Sequence, residues 1–187
     1  MTASRRDQLV QTAVDLFYSN GYHATGIEKI LTAAGVSKPT LYRHFNSKDE
    51  LIVAALQKWD EDSRTWLEEE VQKRGGTPRE RLLAVFDTYH DWFREEGFQG
   101  CMFINAIVEY PEQENPIHVA TLEHKHFVTA YMRNLLREGG AADADELADQ
   151  LMILLEGAIV TAHANGRSDP AQRARSMAEK ILDGALS

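Results

Sequence analysis

Residues 25–50 read TGIEKILTAAGVSKPTLYRHFNSKDE. Ile27, Ile30, Leu31 and Ala34 fall at i, i+3, i+4 and i+7, which predicts a short amphipathic helix over about 26–34. Gly35 follows and can take the left-handed turn conformation that L side chains avoid. Val36 is apolar and suited to plug an angle between helices, and Ser37 is placed to cap a second helix over about 38–44. Two short helices at a steep angle, joined by a glycine turn, make a helix-turn-helix. In the second helix Leu41 and Phe45 share one side, and Lys38, Thr40, Tyr42, Arg43 and His44 take the others. An apolar anchor beneath a donor-rich face is what a reader of the DNA major groove requires.

Outward from this stretch, nearly every segment reads as helix. β-branched alternation is scarce, and the helix starts are legible. Thr25-Gly-Ile-Glu28, Ser47-Lys-Asp-Glu50, Thr77-Pro-Arg-Glu80 and Asp169-Pro-Ala-Gln172 have the capping-box form or its Asp/Gln variant. Nine helices are expected, at about 4–20, 26–34, 38–44, 48–73, 78–95, 101–109, 116–138, 144–163 and 170–183. The fold class is therefore all-α. A three-helix head over residues 1–48 precedes a helical body over 49–187, with the fourth helix as the physical link.

Charge divides in the same way. Residues 1–48 hold six Lys/Arg against three Asp/Glu, and residues 49–187 hold fourteen against twenty-six, so a net +3 head precedes a net −12 body. That suits local contact between head and duplex, although the sum of −9 alone would argue against nucleic acid. The lone cysteine, Cys101, cannot staple a secreted fold. The start MTASRR runs into an amphipathic segment rather than an apolar block, so a cytoplasmic protein without a signal peptide is expected. No membrane span is expected, since the apolar run Leu151–Val160 is short and interrupted by Glu156.

The stretch resembles the DNA-binding region of the tetracycline-repressor (TetR/AcrR) family. The resemblance covers about residues 5–52. It is carried by Phe17…Asn20-Gly21-Tyr22 and by Ala33-Ala34-Gly35-Val36-Ser37…Thr40-Leu41-Tyr42-Arg43-His44-Phe45…Lys48-Asp49-Glu50-Leu51. By position it implies that Thr25 bonds a phosphate at the start of the second helix. It implies further that Ser37, Lys38, Pro39 and Thr40 approach the major groove, and that Tyr42, Arg43, His44 and Lys48 contact bases or phosphates. Capping alone would also explain Thr25 and Ser37, packing would explain Tyr42, and a solvated charge would explain Lys48.

For the body, the resemblance implies a ligand chamber in helices four to seven and a homodimer through helices eight and nine. Candidate chamber residues are Trp59, Phe86, Tyr89, Phe93, Cys101, Asn105, His118, Phe127 and Tyr131, with Glu109, His124 and Glu156 as further polar groups. Aromatics at helical spacing also suit a plain core. The stripes Leu147, Leu151, Leu154, Ala158 and Ala174, Met177, Ile181 suit a four-helix bundle across a two-fold axis, or the body's own core. The expected partners are a pseudo-palindromic double-stranded operator, a small-molecule effector of unspecified identity and a second copy of the chain. No cofactor and no metal are expected, since His118, Glu123, His124 and His126 lack a familiar ligand spacing. No phosphate loop, nucleophile elbow or His-Glu-x-x-His motif points to an enzyme. The expected function is a regulator, most simply a repressor that a ligand releases from its operator through a tilt of the fourth helix. The alternatives are a ligand-binding helical module, or a redox or electrophile sensor through Cys101 beneath the same head.

Overall fold

A computed structural model describes residues 4–166 and 169–186, so the outermost residues of the two expected domains lie outside it. The described residues form α1 (Arg5–Asn20), α2 (Ile27–Ala34), α3 (Lys38–His44), α4 (Lys48–Arg74), α5 (Pro78–Trp92), α6 (Met102–Glu109), α7 (Pro116–Glu138), α8 (Ala144–Asn165) and α9 (Asp169–Asp183). No strand occurs among them. The chain divides into two compact units, residues 1–62 with 102–124 and residues 63–101 with 125–187. The head expected over residues 1–48 thus sits in a larger unit that also takes in the start of α4, α6 and the start of α7. α4 and α7 each give their first part to one unit and the remainder to the other.

In the first unit, α1 starts in a capping box that the sequence reading passed over: Ser4 Oγ accepts from Asp7 N–H, and the Asp7 carboxylate accepts from Ser4 N–H. Leu9, Val10, Ala13, Val14 and Phe17 form its buried face. Gly21, at φ 82°, ends it and donates its N–H to Phe17 O at 2.9 Å. α2 buries Ile30, Leu31 and Ala34. Gly35 turns the chain at φ 62°, and Val36 N–H closes on Leu31 O at 3.1 Å, the six-residue closure of a Schellman turn. α1 is tied to this turn by Gln8 Nε2, which donates to Ala34 O at 2.9 Å. α3 buries Leu41, and Phe45 just beyond it is buried as well.

In the second unit, α5 starts in the expected capping box, with Thr77 Oγ1 accepting from Glu80 N–H and Glu80 accepting from Thr77 N–H. Those backbone donors hold the Glu80 carboxyl below the usual carboxylate range. α5 stops at Trp92 rather than running to 95, because Phe93, Arg94 and Glu95 turn in tight three- and four-residue steps onto Tyr89, Asp91 and Trp92 carbonyls. α9 packs on both α5 and α8. α8 has the length and apolarity of a membrane span, against expectation. Its buried residues Leu151, Leu155, Ala158, Ile159 and Ala162 form one face, and α9 is its neighbour.

Three expected caps are corrected. Gly26, not Thr25, is the N-cap of α2, with no side-chain bond. The Gly21 turn brings the end of α1 under Thr25, whose hydroxyl donates to Gly21 O at 2.8 Å and is lost to α2. Ser47 Oγ accepts from Glu50 N–H, but the Glu50 carboxylate reaches one residue further, to Asn46 N–H at 2.8 Å. Asp169 lies inside α9 and pairs with Arg173, and Gln172 turns to His90, so that box does not form.

Candidate nucleic-acid interface

The interface is built on the angle between α2 and α3. Leu41, fully buried, and Phe45 fix the inner side of α3 in the first unit. Lys38, Pro39, Tyr42, Arg43 and His44 are exposed, Tyr42 at 46% of its surface, and Thr40 is half-buried. Six of the expected contact residues thus lie on the part of α3 that is not buried with Leu41. Ser37 occupies the N-cap position but makes no cap bond, because its hydroxyl lies 2.9 Å from Thr40 Oγ1. A hydroxyl pair at the first turn leaves donors and acceptors at the surface, where a base edge or phosphate can take them.

Thr25 departs from its expected role. It is fully buried, and its hydroxyl donates back to the end of α1, so the side chain presents nothing to a phosphate. Lys48 is half-buried, and its ammonium donates to Tyr22 O at 2.6 Å, leaving two of three N–H donors for other acceptors. Lys38 bonds Glu28 Oε1 at 2.8 Å, and this hydrogen bond with the nearby carboxylate charge holds its ammonium above the usual lysine range. Lys29 donates to Asn20 Oδ1 at 2.9 Å. Arg6 lies over the Phe45 ring, 5.3 Å from its centroid, and lines a shallow groove of ≈ 420 Å³ with His44, Ser47 and Asp49. Arg6 and Lys29 carried no signal in the sequence, and Glu28 was expected to close a capping box with Thr25 rather than to reach Lys38.

The head turn is held by α6. The Glu109 carboxylate accepts from the consecutive backbone N–H groups of Tyr22, at 2.9 Å, and His23, at 2.6 Å. His23 Nε2 lies 3.0 Å from Glu109 O, and Tyr22 OH donates to Met102 O at 2.9 Å at the other end of α6. The Tyr110 ring packs on His23 at 4.8 Å. Glu109, read from sequence as a chamber group, is instead an acceptor for the α1–α2 turn. Burial, with the Asp49 and Glu109 charges, pushes the Tyr110 phenol up to about 12.

The nine expected chamber residues do not gather in one unit. Trp59, Asn105 and His118 fall in the first, where Trp59 stacks on Tyr18 at 5.0 Å and His118 Nδ1 lies 2.9 Å from Tyr110 O. Phe86, Tyr89, Phe93, Cys101, Phe127 and Tyr131 fall in the second. There Phe86, Tyr89 and Phe93 are buried, and burial raises the Tyr89 phenol above its ordinary value. The Arg64 guanidinium caps the Phe127 ring at 4.1 Å. His124 pairs with Asp60 at 2.7 Å and stacks on Phe103 at 3.7 Å, and Glu156 pairs with Lys125. Among the described residues no three His, Cys, Asp or Glu side chains gather as a metal site.

The expected dimer stripe needs correction too. Leu151, Ala158 and Ala174 are buried inside their own chain, and Leu147, Leu154 and Ile181 are half-buried. Met177 is exposed at 54%, and it is joined by Ile153 at 69% and Val160 at 51%. A 3.6-residue period leaves more than one apolar stripe on α8, and the expected one is partly buried within the chain while Ile153 and Val160 stay exposed.

Residues 9–55 match the model of the tetR family of bacterial regulatory proteins, and residues 78–178 match a tetracyclin-repressor-like C-terminal domain. This chain belongs to the TetR family. It is a DNA-binding transcriptional regulator with the N-terminal helix-turn-helix of that family. The regulator is similar to a TetR-family transcriptional regulator from Streptomyces coelicolor of known structure. The two are 31% identical, with a TM-score of 0.90 over 98% of this chain and 96% of that one. It is 38% identical over 119 residues to the transcriptional activator FasR of Mycolicibacterium smegmatis, a match covering 63% of this chain and 53% of FasR. The regulator thus aligns with about half the length of FasR. It is 23% identical to the transcriptional regulator YjdC of Escherichia coli over 95% of this chain and 93% of YjdC.

Proposed function

We propose that two copies of this chain grip a pseudo-palindromic operator in the cytoplasm, with one α3 per half-site in successive major grooves. The observation that carries this reading is α3 itself, a seven-residue helix with Leu41 buried, Phe45 buried just beyond its end, and Lys38, Tyr42, Arg43 and His44 exposed. Two heads on a two-fold axis match half-sites about one helical turn, ~34 Å, apart. The exposed residues Ile153, Val160 and Met177 support pairing through α8 and α9, because apolar side chains on paired helices are ordinarily covered. The sign proposed is repression relieved by a small-molecule effector, in line with the family resemblance. The effector acts through α4, which runs unbroken from Lys48 to Arg74 and so transmits a tilt to the end of the head.

Selection from a pool of random duplexes tests the operator part. The reading expects an enriched sequence with two-fold symmetry and half-sites one turn apart. A pool that stays random through repeated rounds overturns it.

A further inference from the structure

We propose that Glu28 restrains DNA binding by holding Lys38 as an internal stand-in for a phosphate. The inference rests on the DNA-binding reading of α3 and adds a residue to which no contact role has been given. Residues 1–48 contain three acids. Asp7 closes the cap of α1, and Asp15 accepts from Gln11 on the same helix. Glu28 alone of the three reaches across to α3, with Oε1 2.8 Å from Lys38 Nζ. Its side chain is 75% exposed and that of Lys38 57%, so the pair lies on the outer surface and is not part of the core.

Lys38 is the first residue of α3, and Glu28 is the second of α2. A phosphate that bonds Lys38 while the pair is closed comes within the width of one ammonium group of the Glu28 carboxylate. Two anions then compete for one cation, and the carboxylate that remains repels the phosphate. The free head is therefore short of one effective charge. Its basic residues are Arg5, Arg6, Lys29, Lys38, Arg43 and Lys48, and the leading cation of its recognition helix is neutralised from within. Counterion release makes this cost fall on every duplex, whatever its sequence. A cognate operator offsets it through base contacts, which random DNA does not supply. Glu28 is on this account a residue that lowers non-specific binding and leaves the shape of the head untouched.

The opposite role, in which Glu28 orients Lys38 for the groove, predicts the opposite sign. The test uses the full chain and a fluorescein-labelled random-sequence duplex of about 30 base pairs, read by anisotropy across a KCl series. Glu28→Gln is expected to bind about two- to fivefold more tightly per head, the range expected from releasing one exposed ion pair. Its log–log salt slope is expected to steepen by about one per head. In a Lys38→Met background, Glu28→Gln is expected to gain clearly less affinity and to leave the slope unchanged, since the pair is already gone and only the repulsion by the carboxylate remains to be removed. Unchanged or weaker binding by Glu28→Gln overturns the proposal. An equal gain in the Lys38→Met background also overturns it, because general charge would then suffice. Absence of wild-type binding even at low salt overturns the DNA-binding reading and this proposal with it. Both side chains are exposed, so the variants keep the fold.

Discussion

Glu109→Ala removes the acceptor that serves two consecutive backbone donors in the α1–α2 turn. The Tyr22 N–H bond is part-buried, so losing a charged acceptor there costs about 1.5–3 kcal/mol. The His23 N–H bond is exposed, and water recovers most of it, which leaves about 0.5–1 kcal/mol. The turn is thereby loosened by about 2–4 kcal/mol, which corresponds to roughly thirty- to a thousandfold in a local opening equilibrium. Amide hydrogen exchange followed by NMR reads this residue by residue. The Tyr22 and His23 amides are expected to exchange faster by that factor in Glu109→Ala. The Gly21 amide, which bonds Phe17 O, is expected to change little. Unchanged protection at Tyr22 and His23 in a folded variant would refute the claim that α6 holds the head turn.

Arg43→Ala is expected to weaken duplex binding by about 1–3 kcal/mol and leave thermal stability alone, since Arg43 is exposed. Lys48→Ala is expected to lower both, because its ammonium also bonds Tyr22 O; anisotropy beside thermal melts separates the two effects. Ile153→Asp puts a charge on the exposed stripe of α8 and is expected to shift sedimentation from dimer toward monomer with helicity intact. A variant that remains fully dimeric would contradict the proposed pairing face. The raised Tyr110 phenol holds its proton in the folded state to about 12, while the unfolded chain loses it near 10. Stability from this group is therefore full below pH ~10 and is lost as pH rises toward 12, so the urea midpoint of wild type should fall relative to that of Tyr110→Phe across that window.

The helix-turn-helix was legible in the sequence because its determinants are local. Gly35, the apolar spacing of α2 and the Leu41–Phe45 pair each act within a few residues. Thr77 and Glu80 were legible for the same reason. Thr25 was misread because its hydroxyl answers to the end of α1 rather than to the helix it precedes, and only the Gly21 turn puts those carbonyls within reach. Leu151, Ala158 and Ala174 have the composition of an interface. Composition does not say which apolar residues of α8 are buried within the chain and which stay exposed. The Glu109 clamp joins residues 87 and 86 apart in sequence, so no pattern along the chain could have marked it. The chamber candidates were chosen as aromatics at helical spacing, and that criterion does not separate a cavity wall from a packed core.

The central claim, that α3 reads DNA, is tested most directly by fluorescence anisotropy on a selected duplex and its scrambled counterpart across a salt series. The account predicts tighter binding to the selected duplex by about a thousandfold or more at physiological salt, falling steeply as salt rises. Equal affinity for the two duplexes at every salt concentration would contradict it.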